Sequence, residues 1–161
     1  MSSSLPRLAL AALACTVALP AAAQVTVKEI SYPVALTIAT AALDDCKARG
    51  YATSIVVVDT GGNTVVALRA DNASVHTTEN ARRKAYTAMT FKMTTAEFIK
   101  EMATRPVRRE QTTLPNVIAI DGGVPIKAGN AVIGGVGLSG SPGVDEQCVT
   151  AGMNKVADQL R

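Results

Sequence analysis

The feature that most constrains the fold is a pair of β-branched segments joined by a glycine-containing turn. Residues 55–58 read Ile-Val-Val-Val, and strand character resumes over residues 64–69. Gly61, Gly62 and Asn63 lie between them, and such residues readily adopt the positive φ angles that tight hairpin turns need. The pattern therefore predicts a β-hairpin, and the strands of a hairpin pair antiparallel.

Helical periodicity flanks this hairpin on both sides. Apolar residues recur at helical spacing over residues 34–46, with Pro33 in a tolerated first-turn position and Gly50 as a stop signal. Further helices are predicted over residues 77–91 and 95–104, and from Val144 or Asp145 to Leu160.

Three more strands are predicted in the second half of the chain, over residues 116–120, 124–126 and 131–138. Glycines 134, 135 and 137 in the last of these indicate a bulge or a ligand that approaches the backbone closely. The order of elements predicts one α+β domain, with helices packed against one antiparallel sheet of about five strands.

The amino terminus has the pattern of a secretion signal. One basic residue, Arg7, precedes an apolar run over residues 8–19, and Ala21 and Ala23 occupy the small-residue positions of a cleavage site. The run is too short to span a bilayer, which takes about 20 residues. We expect a signal peptide at residues 1–23 and a periplasmic or secreted domain at residues 24–161. Lipid attachment at Cys15 is the alternative.

Two cysteines fall in the predicted mature domain, Cys46 and Cys148, each on a predicted helix. An oxidising compartment would allow them to form a disulfide. The sequence does not show whether the two helices meet, so the pairing stays open at this point.

Composition and motifs exclude several function classes. The net charge is only +3, Trp is absent, and the aromatic residues are three Tyr and two Phe, so a nucleic-acid surface is not supported. The chain has no CxxC, HExxH or P-loop motif. It contains a single histidine, His76, so any histidine-dependent chemistry must use that residue.

Polar residues cluster around the start of the helix predicted over residues 77–91. His76, Asn80, Arg83 and Thr87 are spaced to form one row on it, and Lys84 lies beside them. One interpretation is a site for an anionic ligand, held by arginine. The other is a solvated helix face carrying ion pairs, with His76 as a cap neighbour, a general base or a metal ligand. The apolar positions of this helix are small, which indicates close packing against a sheet or another subunit.

Taken together, several segments resemble the GlcG/HbpS family. The resemblance is carried by the VVD-x-GG hairpin with its R-x-D continuation, the KA-x-TA helix, the GG-x-P and VIG-x-[IV]-G-x-SG strands, and a D-x-x-[CI] final helix. The matching segments are residues 56–63, 69–71, 84–88, 121–126, 132–140 and 145–148.

The resemblance implies a profilin-like fold with a five-stranded antiparallel sheet, and a homo-oligomer. It also implies haem as the ligand, because relatives include an extracellular haem-binding, haem-degrading redox-sensor component and the haem-binding carboxy-terminal domain of PduO-type corrinoid proteins. On this basis His76 is a candidate iron ligand, since imidazole commonly ligates haem. Arg69, Arg83 or Lys84 are candidates to pair with the propionates, and Thr87 lies on the matching helix.

Two other hypotheses remain open. An enzyme or binding protein for a small carboxylate would use Arg69 and Arg83 to hold the acid and His76 as acid or base, and the scarcity of bulky aromatics favours it over haem. An accessory protein would instead use its small-residue helix to pack subunits together.

Overall fold

The computed structural model describes residues 26–161. The predicted signal segment, residues 1–23, and Cys15 lie outside that range. Among the described residues, no helix combines the length and apolarity needed to cross a membrane. The helices are α1 (Tyr32–Ala48), α2 (Thr77–Phe91), α3 (Thr95–Thr104), α4 (Pro106–Gln111) and α5 (Asp145–Asn154), and the strands are β1 (Ser54–Val58), β2 (Thr64–Arg69), β3 (Gly123–Ala128) and β4 (Ala131–Ser139).

The strands form one antiparallel sheet in the order β2-β1-β4-β3. The predicted hairpin is confirmed as β1 and β2. Its turn is closed by Asp59, whose Oδ1 accepts hydrogen bonds from the backbone N–H groups of Gly61 at 2.9 Å and Asn63 at 2.8 Å. The predicted α+β class, with an antiparallel sheet and flanking helices, is confirmed.

The predicted strand at residues 116–120 is wrong, and the sheet has four strands within residues 26–161. The backbone of this segment bonds to side chains of α2 instead of to a neighbouring strand. Ile118 N donates to Thr87 Oγ1 at 2.9 Å, and Arg83 Nη2 donates to Val117 O at 2.6 Å. Because these helix side chains satisfy its polar groups, the segment runs beside α2 without extending the sheet.

The sheet separates two packing faces, because alternate side chains of a strand point to opposite sides. Ile55 and Val57 of β1 pack in the large apolar cluster formed with α1 and α5. Val56 and Val58 pack on the other side, against Ala81 and Ala85 of α2. We call the first side the disulfide face and the second the cavity face.

On the cavity face, α2 lies almost directly on β4. A Cβ atom at Gly137 would collide with the backbone of Ala81, and one at Gly135 would collide with the backbone of Ala85. Gly135 and Gly137 therefore accommodate a helix, whereas the predicted irregularity lies beside Gly134, where the pairing of β3 with β4 shifts register. The small residues of α2 were predicted to pack closely against a sheet or another subunit, and they pack against the sheet.

On the disulfide face, Cys46 of α1 and Cys148 of α5 form a disulfide with an S–S distance of 2.06 Å. A Cβ at Gly152 would collide with the carbonyl of Ile38, so α5 also crosses α1 at close range.

One helix boundary differs from the prediction, and one helix was not predicted. Helix α5 ends at Asn154, and a 3-10 helix over Ala157–Leu160 replaces its predicted last turn. There Leu160 O accepts from Gly129 N at 3.1 Å, which ties the chain end to the β3–β4 turn. Helix α4 was not predicted; Pro106 stands at its first turn, where its missing N–H costs nothing.

Candidate functional site

A polar cavity of about 380 Å³ opens at the amino-terminal end of α2. One wall is formed by His76, which precedes the first residue of α2, and by Asn80 and Lys84 of α2. The end of β4, the loop after it, the start of α5 and the segment before β3 also line the cavity. Their polar side chains in the lining are Ser139, Asp145 and Asp121. The volume lies within the range of about 300–1,000 Å³ typical of small-molecule sites.

The floor of the cavity is a buried ion pair. The Lys84 side chain is 1% exposed, and its Nζ lies 2.6 Å from Asp145 Oδ2. Lys84 Nζ also donates to Leu138 O at 2.9 Å. An ammonium group has three N–H donors, and within residues 26–161 only these two acceptors bond to it. One N–H of Lys84 is therefore left for the cavity.

Asp145 is held in place by the loop that precedes it. Its Oδ1 accepts from both the backbone N–H and the hydroxyl of Ser141, at 2.8 Å and 2.6 Å. Ser141 Oγ lies 3.2 Å from Cys46 Sγ of the disulfide. Through Ser141, the ion pair is thus held next to the disulfide that joins α1 to α5.

Gly122 allows the chain to pass close to this pair. It has a φ of +110°, and a Cβ atom there would lie 2.8 Å from Leu138 O and 3.2 Å from Lys84 Nζ. A side chain at this position would both strain the backbone and displace the ammonium group.

Several other polar side chains of the lining bond to no residue in the described part of the chain. Ser139 is 5% exposed and pairs across the sheet with Ser54, whose Oγ lies 2.8 Å from Thr77 Oγ1 of α2. Because directly paired residues share a face, Ser139 also points to the cavity face. The side chains of Ser139, Asn80 and His76 form no hydrogen bond with any residue that the structure describes.

Asp121 and Glu146 form a carboxyl pair beside the cavity. Burial, a hydrogen bond to Asp121, and the charges of Asp121 and Glu97 raise the pKa of Glu146 to about 7, while Lys100 opposes the shift. Asp121 Oδ1 is buried and finds no donor in the described part of the chain. Two carboxyl groups can hydrogen-bond only when one carries a proton, so the hydrogen bond between Glu146 and Asp121 requires a shared proton.

Of the five predicted site residues, the structure brings His76 and Lys84 to this cavity. Arg69 lies elsewhere, with its guanidinium donating to Ala73 O. Arg83 and Thr87 hold residues 117 and 118 against α2. These three side chains have structural contacts, and their roles toward a ligand stay predictions.

The row that faces the cavity on α2 is His76, Asn80 and Lys84, rather than the predicted row through Arg83 and Thr87. The ion-pair interpretation holds for part of the helix surface, where Arg82 Nη2 lies 2.7 Å from Glu79 Oε1. Among residues 26–161, no group of three or more His, Cys, Asp and Glu side chains is arranged to hold a metal ion.

Residue patterns alone did not assign Asp121, Ser139 or Asp145 to a site. Asp121 lies in a turn, Ser139 at the end of a strand and Asp145 in the first turn of a helix, and such residues are common at these places. The available signal was the set of segments that resemble the GlcG/HbpS family. Four of them, residues 84–88, 121–126, 132–140 and 145–148, each contribute to the lining of this one cavity.

Residues 30–154 match the family model described as "Haem degrading protein HbpS-like". The chain belongs to the HbpS-like family. A solved structure of HbpS is 32% identical with a TM-score of 0.79, and the match covers 87% of this chain and 99% of HbpS. The predicted family resemblance is thereby confirmed.

Two further relatives extend the HbpS-like comparison. A PduOC:heme complex is 24% identical with a TM-score of 0.69, covering 78% of this chain and 94% of that one, and shows a shared fold. An uncharacterized 15.0 kDa protein of the dhaT-dhaS intergenic region of Citrobacter freundii is 35% identical over 88 residues. That match spans 52% of this chain and 61% of the Citrobacter protein.

Proposed function

We propose that the protein is an exported haem-binding protein in which His76 ligates the iron. The family to which it belongs is described by haem degradation, and the related PduOC domain forms a complex with haem. Because the family is described as haem-degrading, we also propose that the protein degrades haem slowly.

The observation that carries the proposal is the setting of His76. It is the chain's single histidine, it is exposed, and its imidazole has no hydrogen-bond partner among the described residues. Val75, beside it, is 87% exposed, and Ile120, on the same cavity, is 43% exposed. An exposed imidazole near exposed apolar side chains suits a porphyrin, which presents iron at the centre of an apolar ring.

The propionates are better placed outside the cavity than in it. The charge of Lys84 is neutralised by Asp145, and Asp121 adds a carboxylate to the same lining. A propionate in the cavity would meet net negative charge, so we assign none to Lys84. Arg69 and Arg83 lie outside the cavity and remain candidate partners.

The disulfide supports export. Disulfides persist mainly in oxidising compartments, and Cys46 and Cys148 form one here. We therefore propose cleavage after Ala23 and a periplasmic or secreted location. Mass spectrometry of the exported protein should give a chain beginning at Gln24; a chain that retains residues 1–23, or carries lipid at Cys15, would contradict this.

We also propose a homo-oligomer. The small-residue face of α2 is occupied by the sheet, so the contact must use another surface. Exposed apolar side chains on and after α3 and α4 are available, at Ile99, Val107 and Leu114. Light scattering of the mature protein should give a multiple of the chain mass, and Val107→Glu should lower it.

Haemin titration tests the haem proposal directly. We expect a saturable Soret shift for the mature protein and its loss in His76→Gly, with recovery when free imidazole is added. Gln159→Ala, an exposed change remote from the cavity, is the matched control and should behave as wild type. An unchanged spectrum in His76→Gly would rule out ligation by His76. Following the Soret band over hours with a reductant tests degradation.

The structure does not support the small-carboxylate hypothesis, because the two arginines proposed to hold the acid do not reach the cavity. Arg69 bonds to Ala73 O and Arg83 to Val117 O, and neither lines the cavity that contains His76. The geometry therefore favours haem at His76 over an enzyme site built from those three residues.

A further inference from the structure

We propose that the cavity beneath His76 binds a small uncharged molecule that carries a carbonyl oxygen next to a hydroxyl group. This inference does not depend on haem binding, because it uses the floor of the cavity and not the exposed imidazole at its rim.

The carbonyl is assigned to Lys84. Its Nζ uses two donors on Asp145 and Leu138, which leaves one N–H on a side chain that is 1% exposed and lines the cavity. A buried N–H of a charged group needs an acceptor. A ligand oxygen can supply it without displacing Asp145.

The hydroxyl is assigned to Ser139 and Asn80. Ser139 is 5% exposed, points to the cavity face, and has no hydrogen-bond partner in residues 26–161. Asn80 lines the same cavity, and its side-chain amide bonds to no residue within 26–161. Serine and asparagine each both donate and accept, so they match a group that does the same, as a hydroxyl does.

The charge balance selects an uncharged ligand. Lys84 and Asp145 cancel, and Asp121 contributes a further negative charge to the lining. The amino-terminal end of α2 offers about half a positive charge in compensation. No excess positive charge is left for a carboxylate, so an anion of the same size should bind more weakly than the neutral molecule.

The ion pair itself is costly for the fold. Replacing a buried ion pair with apolar residues is often neutral or stabilising. A buried pair with an unused donor, beside a serine that is 5% exposed and bonds through its side chain to no described residue, is therefore better explained by a ligand than by stability.

Hydroxyacetone is the probe, with lactate as its anionic counterpart of similar size. Calorimetry or ligand-observed NMR on haem-free protein at pH 7 should detect saturable hydroxyacetone binding, with a Kd on the order of 1 mM for so small a molecule. Lactate should bind at least about ten-fold more weakly, because one unit of opposing charge in a partly buried site costs at least that factor.

Ser139→Ala tests the site with little risk to folding, because the hydroxyl has no partner among the described residues. It should weaken hydroxyacetone binding about three- to ten-fold, whereas Thr90→Ala, an exposed change on the same helix as Asn80, should leave it unchanged. Lys84→Met should abolish binding if that variant folds. Haemin titration of Ser139→Ala should match wild type, which separates this site from the haem proposal.

Three results would overturn the inference. One is the absence of saturable hydroxyacetone binding. The second is equal affinity in Ser139→Ala and wild type. The third is lactate binding as tight as hydroxyacetone binding, which would show that the lining carries excess positive charge.

Discussion

The two faces of the sheet are built on opposite principles. The disulfide face has a large apolar cluster between the sheet and helices α1 and α5, closed by Cys46–Cys148. The cavity face has a small apolar cluster around Ala81 and Ala85. Its largest buried side chain is Lys84, an ionised group.

This difference shows a division of roles within one domain. Apolar burial and the cross-link stabilise the disulfide face, so the cavity face can hold a buried charge and unpaired polar groups. Asp145 joins the two, because it begins α5 and contacts Lys84 across the sheet edge.

The largest effect should follow loss of the disulfide. In the chain-entropy account, a cross-link across about 100 residues contributes about 4.7 kcal/mol, and Cys46 and Cys148 are 102 residues apart. Cys46→Ala with Cys148→Ala should lower the free energy of unfolding by about 4–5 kcal/mol in a urea titration. Reduced wild type should show a similar loss, and a loss under about 1 kcal/mol would contradict the assigned role.

Breaking the ion pair should have the next largest effect. Lys84→Met leaves Asp145 buried without its counter-ion, which should lower the free energy of unfolding by about 3–4 kcal/mol. Adding Asp145→Asn should recover part of the loss, because the uncompensated charge is then gone. If the double variant is less stable than Lys84→Met, the charge is not the cause.

Enlarging the small residues of α2 should cost less. Ala85→Val adds two methyl groups where the helix backbone already lies against Gly135 of β4. We expect a destabilisation of about 1–3 kcal/mol from overpacking. Ala103→Val, at an exposed position of α3, controls for helix propensity, which accounts for at most about 0.7 kcal/mol. Equal losses in both variants would show that the helix is not tightly packed there.

The smallest effect should be the pH dependence that Glu146 gives to the free energy of unfolding. Its pKa of about 7 lies above its ordinary value of 4.5, so the folded state binds more protons between these values. Because the folded state holds this proton more tightly, the contribution of Glu146 to the free energy of unfolding falls as the pH rises from 4.5 to 7. Above pH 7 this destabilising effect is complete. Glu146→Gln should stabilise the protein at pH 8 and much less at pH 5, by under about 1 kcal/mol because solvent screens a partly exposed group. Equal stabilisation at both pH values would argue against the shared proton.

Local sequence signals predicted most of the secondary structure. The hairpin followed from β-branched runs and a Gly-Gly-Asn turn, and α1, α2 and α3 followed from apolar spacing. The strand predicted over residues 116–120 failed because β propensity does not reveal that Thr87 and Arg83 satisfy its backbone. The break in α5 after Asn154 likewise had no local signal.

The candidate site was predicted only in part. His76 was singled out because it is the one histidine in the sequence, and Lys84 because it belongs to the polar cluster on α2 and to the KA-x-TA segment. The sequence patterns did not identify Asp121, Ser139 and Asp145 as site residues. An aspartate in a turn, a serine at a strand end and an aspartate at a helix start each have an ordinary local explanation. Their convergence depends on how α2 crosses β4.

The sequence by itself determined the antiparallel hairpin, the helical segments and the family, because local dihedral preferences, apolar periodicity and spaced motifs need no long-range contacts. The tertiary structure decided three things: that Cys46 meets Cys148, that α2 rests on the glycines of β4, and that Lys84 pairs with Asp145 beside a cavity. Each joins residues distant in the chain, and such contacts form only when helices and sheet pack together.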